Sequence, residues 1–313
     1  KSGPVAFAIA CAGVAVPLVM GTVLYMLFYG FSPLGSTGFY EAVFMGVILT
    51  ATSVSITVQA LKELGHLKEY VGTAILSAAI IDDVIGIVVL TVVIGFKDPS
   101  SSPASVLMST VLFFVFALVV GSLIYWVFKK FDAYYPHTRR IPIMGLALCL
   151  FLAYVAETYF GIADITGAYV AGIILCSLKD SEYIATKMDT SSYLLFGPVF
   201  FASIGLKTDV DFSSPTLLLF TLAFVAVGLL GKVIGCGLVA KLCRFSNSDC
   251  LKVGVGMMTR GEVALIVSQK GLSVGMISSE FFTCVIVLIV VSSVLTPILL
   301  KILYHRDSLR AEG

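Results

Sequence analysis

Two adjacent carboxylates, Asp82 and Asp83, stand inside an apolar run that reaches from Tyr70 to Phe96. A helix rises about 1.5 Å per residue, which puts both acids roughly 18–20 Å from Tyr70. In a hydrocarbon layer about 30 Å thick, that is near mid-depth. A charge there costs at least about 2.5–3.5 kcal/mol on insertion scales, so such acids are candidates for holding ions or protons. The bland alternative is a pair of acids neutralised by structural partners. A lone amine lies at matching depth: Lys232, in Leu229-Leu-Gly-Lys-Val-Ile-Gly235. It stands roughly 12 Å from the end of its run, a strained reach for snorkelling. Burial and a neighbouring carboxylate act on an amine in opposite directions, so Lys232 reads as the acids' counter-ion and as a titrating candidate.

Two further polar segments interrupt apolar runs. The first, Leu49-Thr-Ala-Thr-Ser-Val-Ser-Ile-Thr57, carries hydroxyls at Thr50, Thr52, Ser53, Ser55 and Thr57. The second holds Gly254, Gly256, Thr259, Arg260, Gly261 and Glu262. Hydroxyls and glycines at membrane depth mark either an interrupted helix, whose freed backbone groups find partners nearby, or simply close helix packing. Arg260 and Glu262 are expected to pair with each other or with charges elsewhere and to hold the second segment in shape. Glu157 and Asp164 flank a short turn and read as interfacial; Glu41 lies near a helix start, where a carboxylate suits the dipole.

The elements that must position these groups follow from composition. Of 313 residues, 58% are hydrophobic and 12% charged, with a mean hydropathy of +1.04. Soluble domains run nearer 45–50% apolar and 25% charged, so the chain reads as an integral membrane protein. The runs are long, which favours helices over the short alternating strands of a barrel. Ten candidate spans emerge: roughly 4–29, 39–60, 70–96, 105–128, 141–159, 163–178, 190–206, 214–240, 249–269 and 281–304. Those at 163–178 and 190–206 are short enough to be tilted or re-entrant.

The loops sort the cations. With the N-terminus inside, fifteen Lys and Arg fall in inner segments, three (Lys97, Lys207, Lys270) in outer loops, and Lys232 and Arg260 within spans. That asymmetry supports the count and a cytoplasmic C-terminus. The polar interruptions are the middle members of two three-span groups, 4–96 and 214–304, that run in opposite directions. Interrupted spans at corresponding places in opposed halves are the sequence pointer to a transporter's midplane site.

Other chemistries find no support. Net charge is +1, which argues against a nucleic-acid partner. There is no Walker A sequence, HExxH or dinucleotide fingerprint, and His66, His137 and His305 lie in expected loops. The seven cysteines show no metal spacing and read as small hydrophobes. The chain opens Lys1-Ser-Gly-Pro4 with no initiator Met and no leader pattern, so an N-terminal portion is expected to be absent.

Taken in order, Thr50-Ala-Thr-Ser-Val-Ser-Ile-Thr57, Leu61-Lys-Glu-Leu-Gly65, Asp82-Asp-Val-Ile-Gly86, Gly231-Lys-Val-Ile-Gly235 and Thr259-Arg-Gly-Glu-Val-Ala-Leu-Ile266 resemble bacterial monovalent cation:proton antiporters. Within these, the chain is most similar to the electrogenic, two-aspartate, NapA-type sodium/proton branch. The resemblance implies an all-α integral membrane protein with an inverted-repeat antiporter fold and two interrupted crossing helices. About ten transmembrane helices would lie in this chain, with three N-terminal scaffold helices missing. Residues 1–96 would form the first half of the ion-translocating core, 97–213 a linking helix and scaffold or dimer-domain helices, 214–304 the second half, and 305–313 a cytoplasmic tail.

By the same resemblance Asp83 would bind the cation, Na⁺, in competition with the proton. Asp82 would pair with Lys232, Thr52 and Ser53 would lie near the ion, and Arg260 and Glu262 match a pair at the second crossing. Thr259, where many relatives carry Pro, and Asp164, where a small or apolar residue or Pro is commoner, depart from the pattern. The implied activity is exchange of Na⁺ or Li⁺ for protons by an elevator-like alternating access. It would be electrogenic and serve pH homeostasis, in a homodimer in the inner membrane, with no cofactor and no enzymatic reaction. The alternative is a K⁺/H⁺ antiporter or channel-like potassium efflux protein, which commonly carries Gln-Asp and a nucleotide-binding domain. A scaffold that has lost transport is opposed by the retention of Asp82, Asp83 and Lys232.

Overall fold

Apolar runs punctuated by Gly, Pro, Ser and charge fold as helices. The structure is a computed structural model that describes residues 3–96, 103–134, 138–161, 164–196, 198–199, 202, 206 and 214–312. In chain order the helices are α1 (Gly3–Tyr29), α2 (Thr37–Thr50), α3 (Val54–Glu63), α4 (Tyr70–Gly95), α5 (Pro103–Tyr134), α6 (Arg140–Phe160), α7 (Asp164–Cys176) and α8 (Ser181–Ser191). They continue with α9 (Pro215–Leu242), α10 (Asn247–Met257), α11 (Glu262–Ser273) and α12 (Glu280–Glu312). Among the described residues there is no strand. Helix starts carry their own signals: the Ser36, Ser214 and Ser246 hydroxyls accept N–H bonds from Phe39, Leu217 and Asp249, and Pro215 sits in the first turn of α9. At the end of α6, Gly161 takes the left-handed conformation (φ 64°) that terminates a helix at no steric cost.

Among the described residues, seven stretches are long and apolar enough to cross a membrane: Gly3–Tyr29, Thr37–Glu63, Tyr70–Gly95, Val111–Lys130, Arg140–Phe160, Pro215–Leu242 and Glu280–Asp307. The other expected spans fare differently. The 163–178 segment is the 13-residue α7, about 20 Å long. Of 190–206, the structure describes the end of α8, a π-helical turn Ser192–Phe196 and isolated residues beyond it; the rest lies outside the described residues. The 249–269 segment is divided between α10 and α11, with Met258 to Gly261 between them.

The chain divides into two compact units. One joins Lys1–Val93 to Thr208–Gly313, and in it α1 packs on α2 and α9, and α9 on α10 and α12. Within lipid, apolar burial gives little drive for helices to associate, so small residues that allow close approach do the work. A Cβ on Gly21 would lie 2.8 Å from the Gly46 Cα, and one on Gly235 2.8 Å from the Ala12 carbonyl oxygen. Ala6, Ala60, Ala74, Ala78 and Ala79 fill the same core beside Ile9, Leu61 and Ile75. The other unit, Ile94–Lys207, holds α5 to α8 around Phe113, Leu152, Val170 and Ile174.

Candidate functional site

Both polar interruptions are breaks, and they meet. Helix α2 stops at Thr50 and α3 starts at Val54; α10 stops at Met257 and α11 starts at Glu262. A helix end leaves backbone groups without intrahelical partners, and each break completes the other. The Ser53 N–H donates to the Thr259 carbonyl at 2.8 Å. The Thr57 hydroxyl donates to the Gly256 carbonyl at 2.8 Å and lies 3.0 Å from the Thr259 hydroxyl. The hydroxyl run therefore supplies side-chain partners where two chain breaks cross in a buried interior.

Beside this crossing lies the acid pair. Asp82, 1% exposed, receives the Lys232 ammonium at 2.6 and 2.8 Å on its two carboxylate oxygens. The Thr52 hydroxyl donates to it at 2.8 Å; its other available acceptor, the Met257 carbonyl, is 3.4 Å away. Lys232 itself is wholly buried. Asp83 differs. Successive helical residues point about 100° apart, so one amine on α9 does not serve both acids. Asp83 is partly exposed, and its carboxylate makes no hydrogen bond or ion pair with the described residues. The doublet is thus one satisfied carboxylate and one available one. Among the described residues no group of three or more His, Cys, Asp or Glu could hold a metal. An alkali cation at Asp83 would therefore draw on one carboxylate plus hydroxyl, carbonyl or water oxygens, the type of ligand set found at unwound helices.

Arg260 and Glu262 do not pair with each other, and Arg260 forms no ion pair among the described residues, contrary to the sequence-based expectation. The Arg260 guanidinium, wholly buried, donates through Nη2 to the Leu49 carbonyl at 2.7 Å and the Gly228 carbonyl at 3.0 Å. Through Nη1 it donates to the Met258 carbonyl at 3.1 Å. Leu49 and Met258 belong to the C-terminal ends of α2 and α10, where orphan carbonyls and negative dipole ends collect. A five-donor planar cation satisfies several of them at once. The Arg260 N–H is taken by the Ser292 hydroxyl of α12 at 3.0 Å. Glu262 instead opens α11, within 3.4 Å of the Ser53 and Ser55 hydroxyls beside the start of α3. Each charge goes to the helix ends of opposite sign, and this competition explains why they leave each other.

The crossing thus gathers Thr52, Ser53, Asp82, Lys232, Arg260 and Glu262, with Asp83 next to Asp82 on α4. Glu157 and Asp164 are exposed, in the other unit, and Glu41 accepts the Tyr25 hydroxyl at 3.1 Å. Sequence reasoning missed Ser292, Gly228 and Gly13. Ser292 carried the weak signal of a Ser-Ser doublet in an apolar run. Gly228 acts through its backbone, which no residue type reveals. Gly13 lies on α1, where a methyl would reach the Asp82–Lys232 pair; only its place among the small residues Ala6, Ala8, Ala10 and Ala12 hinted at a tight face.

Comparison with known proteins bears on this geometry. The family model described as "Sodium/hydrogen exchanger, transmembrane" matches residues 1–305. A sodium/proton–potassium antiporter of Bacillus cereus, GerN, is 33% identical over 262 residues, 83% of this chain and 67% of its own. A sodium/proton antiporter of Enterococcus hirae is 34% identical over 268 residues, 83% of this chain and 69% of its own. A high-affinity sodium/proton antiporter of Synechocystis sp. is 28% identical over 316 residues, 97% of this chain and 66% of its own.

Proposed function

The chain belongs to the sodium/hydrogen exchanger family, and from that premise we propose that it exchanges a monovalent cation, Na⁺ or Li⁺, for protons by electrogenic alternating access, in the manner of the two-aspartate NapA-type branch. The observation that carries this reading is the asymmetry of the doublet: Asp82 is saturated by Lys232 and Thr52, while Asp83 has no partner among the described residues. A carboxylate without a protein partner holds either a cation or a proton, and each expels the other. Coupled acids give up protons in steps that belong to the pair. With Asp82 and Lys232 forming a second proton-bearing group, more than one proton moves per cation, so the cycle carries charge.

Alternating access in this reading is an elevator-like movement, and the division of the chain into two compact units supports it. The excess of Lys and Arg in alternate loops supports an orientation with the C-terminus in the cytoplasm, and the inner membrane belongs to the same reading. A homodimer and a part in pH homeostasis belong to the same reading. The test is reconstitution in liposomes with proton flux and current recorded under imposed Na⁺, Li⁺ and K⁺ gradients. Wild-type protein is expected to move protons against Na⁺ or Li⁺ with net current, and Asp83→Asn to abolish exchange while remaining folded. Wild-type-like exchange by that variant removes Asp83 from the role. Potassium exchange is the second reading, favoured by the name of the Bacillus cereus relative, and the K⁺ gradient decides it.

A further inference from the structure

We propose that Gly13, on α1, is a positioning residue for the Asp82–Lys232 pair, and that it and Cys236 of α9 form a wall setting how Lys232 meets Asp82. This rests on the exchange reading above. Lys232 and Cys236 are four residues apart on α9 and share one helical face. That face meets α1. A methyl on Gly13 would stand 2.9 Å from the Cys236 Sγ, 3.2 Å from Asp82 Oδ1 and 3.3 Å from the Lys232 Nζ. All three neighbours are buried, and the ammonium and carboxylate already touch at 2.6 Å. Position 13 is thus where α1 comes against a buried ion pair with no side chain in between.

The surroundings decide what yields to a methyl there. Helix α1 has no slack against α9: a Cβ on Gly235 would already lie 2.8 Å from the Ala12 carbonyl oxygen, and one on Gly231 3.3 Å from the Pro17 Cα. The backbones are therefore fixed by close packing, which transmits strain. The Cys236 thiol sits on a short side chain, fully buried, 3.7 Å from the Ile9 carbonyl. The ends of Lys232 and Asp82 are the movable atoms. An added methyl leaves the helices in place and displaces the ammonium against the carboxylate. Asp83, without a partner among the described residues, is not in this contact, so the consequence falls on the second proton-bearing group.

The experiment compares wild type, Gly13→Ala, Gly13→Ala/Cys236→Ala and Gly172→Ala in proteoliposomes. The pH profile of exchange, the charge moved per cation and thermal unfolding in detergent are measured for each. Gly172 is the control, since a methyl there meets nothing within 4 Å. Gly13→Ala is expected to shift the pH of half-maximal exchange by about one unit, a tenfold change in the proton activity required. Its unfolding midpoint is expected to fall below that of Gly172→Ala, because the methyl crowds three buried atoms, so the pH profile and not stability carries the test. The double variant removes the sulfur at 2.9 Å and is expected to return towards the wild-type profile. If Gly13→Ala fails to fold, the double variant must fold with a near-wild-type profile; failure there overturns the proposal. So does a Gly13→Ala profile equal to wild type, or a double variant no nearer to wild type than the single. In those cases wild-type exchange still stands. A wild type that exchanges nothing refutes the exchange reading and this inference with it.

Discussion

Removing the amine at position 232 tests the centre of the site most directly. Lys232 is 0% and Asp82 1% exposed, and both carboxylate oxygens lie within 2.8 Å of the ammonium. Lys232→Met keeps a long side chain but leaves a buried carboxylate with one hydroxyl donor, Thr52. Breaking a buried ion pair from one side costs about 3–5 kcal/mol, because the remaining charge has lost both water and partner. Removing both charges is different: apolar replacement of a whole buried pair is often neutral or stabilising by about 1–4 kcal/mol. Thr52 then still has the Met257 carbonyl, 3.4 Å away, as an acceptor. Asp82→Leu/Lys232→Met is therefore expected to be more stable than Lys232→Met alone by about 2 kcal/mol or more, although neither should move charge as wild type does. Thermal unfolding in detergent measures the first difference, and current in proteoliposomes the second. A Lys232→Met protein that unfolds with wild-type protein, or a double variant less stable than the single, would refute the assignment of a buried, mutually dependent pair.

Arg260→Lys is expected to destabilise by several kcal/mol despite keeping the charge, since one ammonium cannot replace a planar fork that serves the Leu49, Gly228 and Met258 carbonyls together. Thermal unfolding checks it, and a midpoint equal to wild type would count against the capping role. Thr57→Ala leaves the Gly256 carbonyl without its 2.8 Å donor and should cost about 1–3 kcal/mol. The effect should show as faster hydrogen exchange at the two breaks, whereas unchanged protection there would show that the crossing does not depend on this hydroxyl.

Much of this was legible before any coordinates. Long apolar runs announced the helices, and a mid-depth amine at the depth of the acids announced a buried ion pair, because charge in hydrocarbon is too costly to stay unpaired. The hydroxyl and glycine runs marked where helices stop. Legibility failed where a partner is a backbone atom. Nothing in the residue types tells Arg260 that its acceptors are the ends of α2 and α10 rather than Glu262. The 163–178 segment, read as short enough to be tilted or re-entrant, is the 13-residue α7.

From sequence alone the chain is a helical membrane protein with an acid doublet, an opposed amine and two breaks in mirrored groups, since hydropathy, periodicity and the cost of buried charge act locally along the chain. Residue types left open which acid meets Lys232; the family resemblance implied Asp82, and the tertiary structure decides it: neighbours on one helix point in different directions, and the amine, some 150 residues away on α9, can serve just one of them. The same holds for the closeness of α1 to that pair. It is set by glycines and carbonyls meeting across helices, where the missing side chain is the signal and only packing makes it visible.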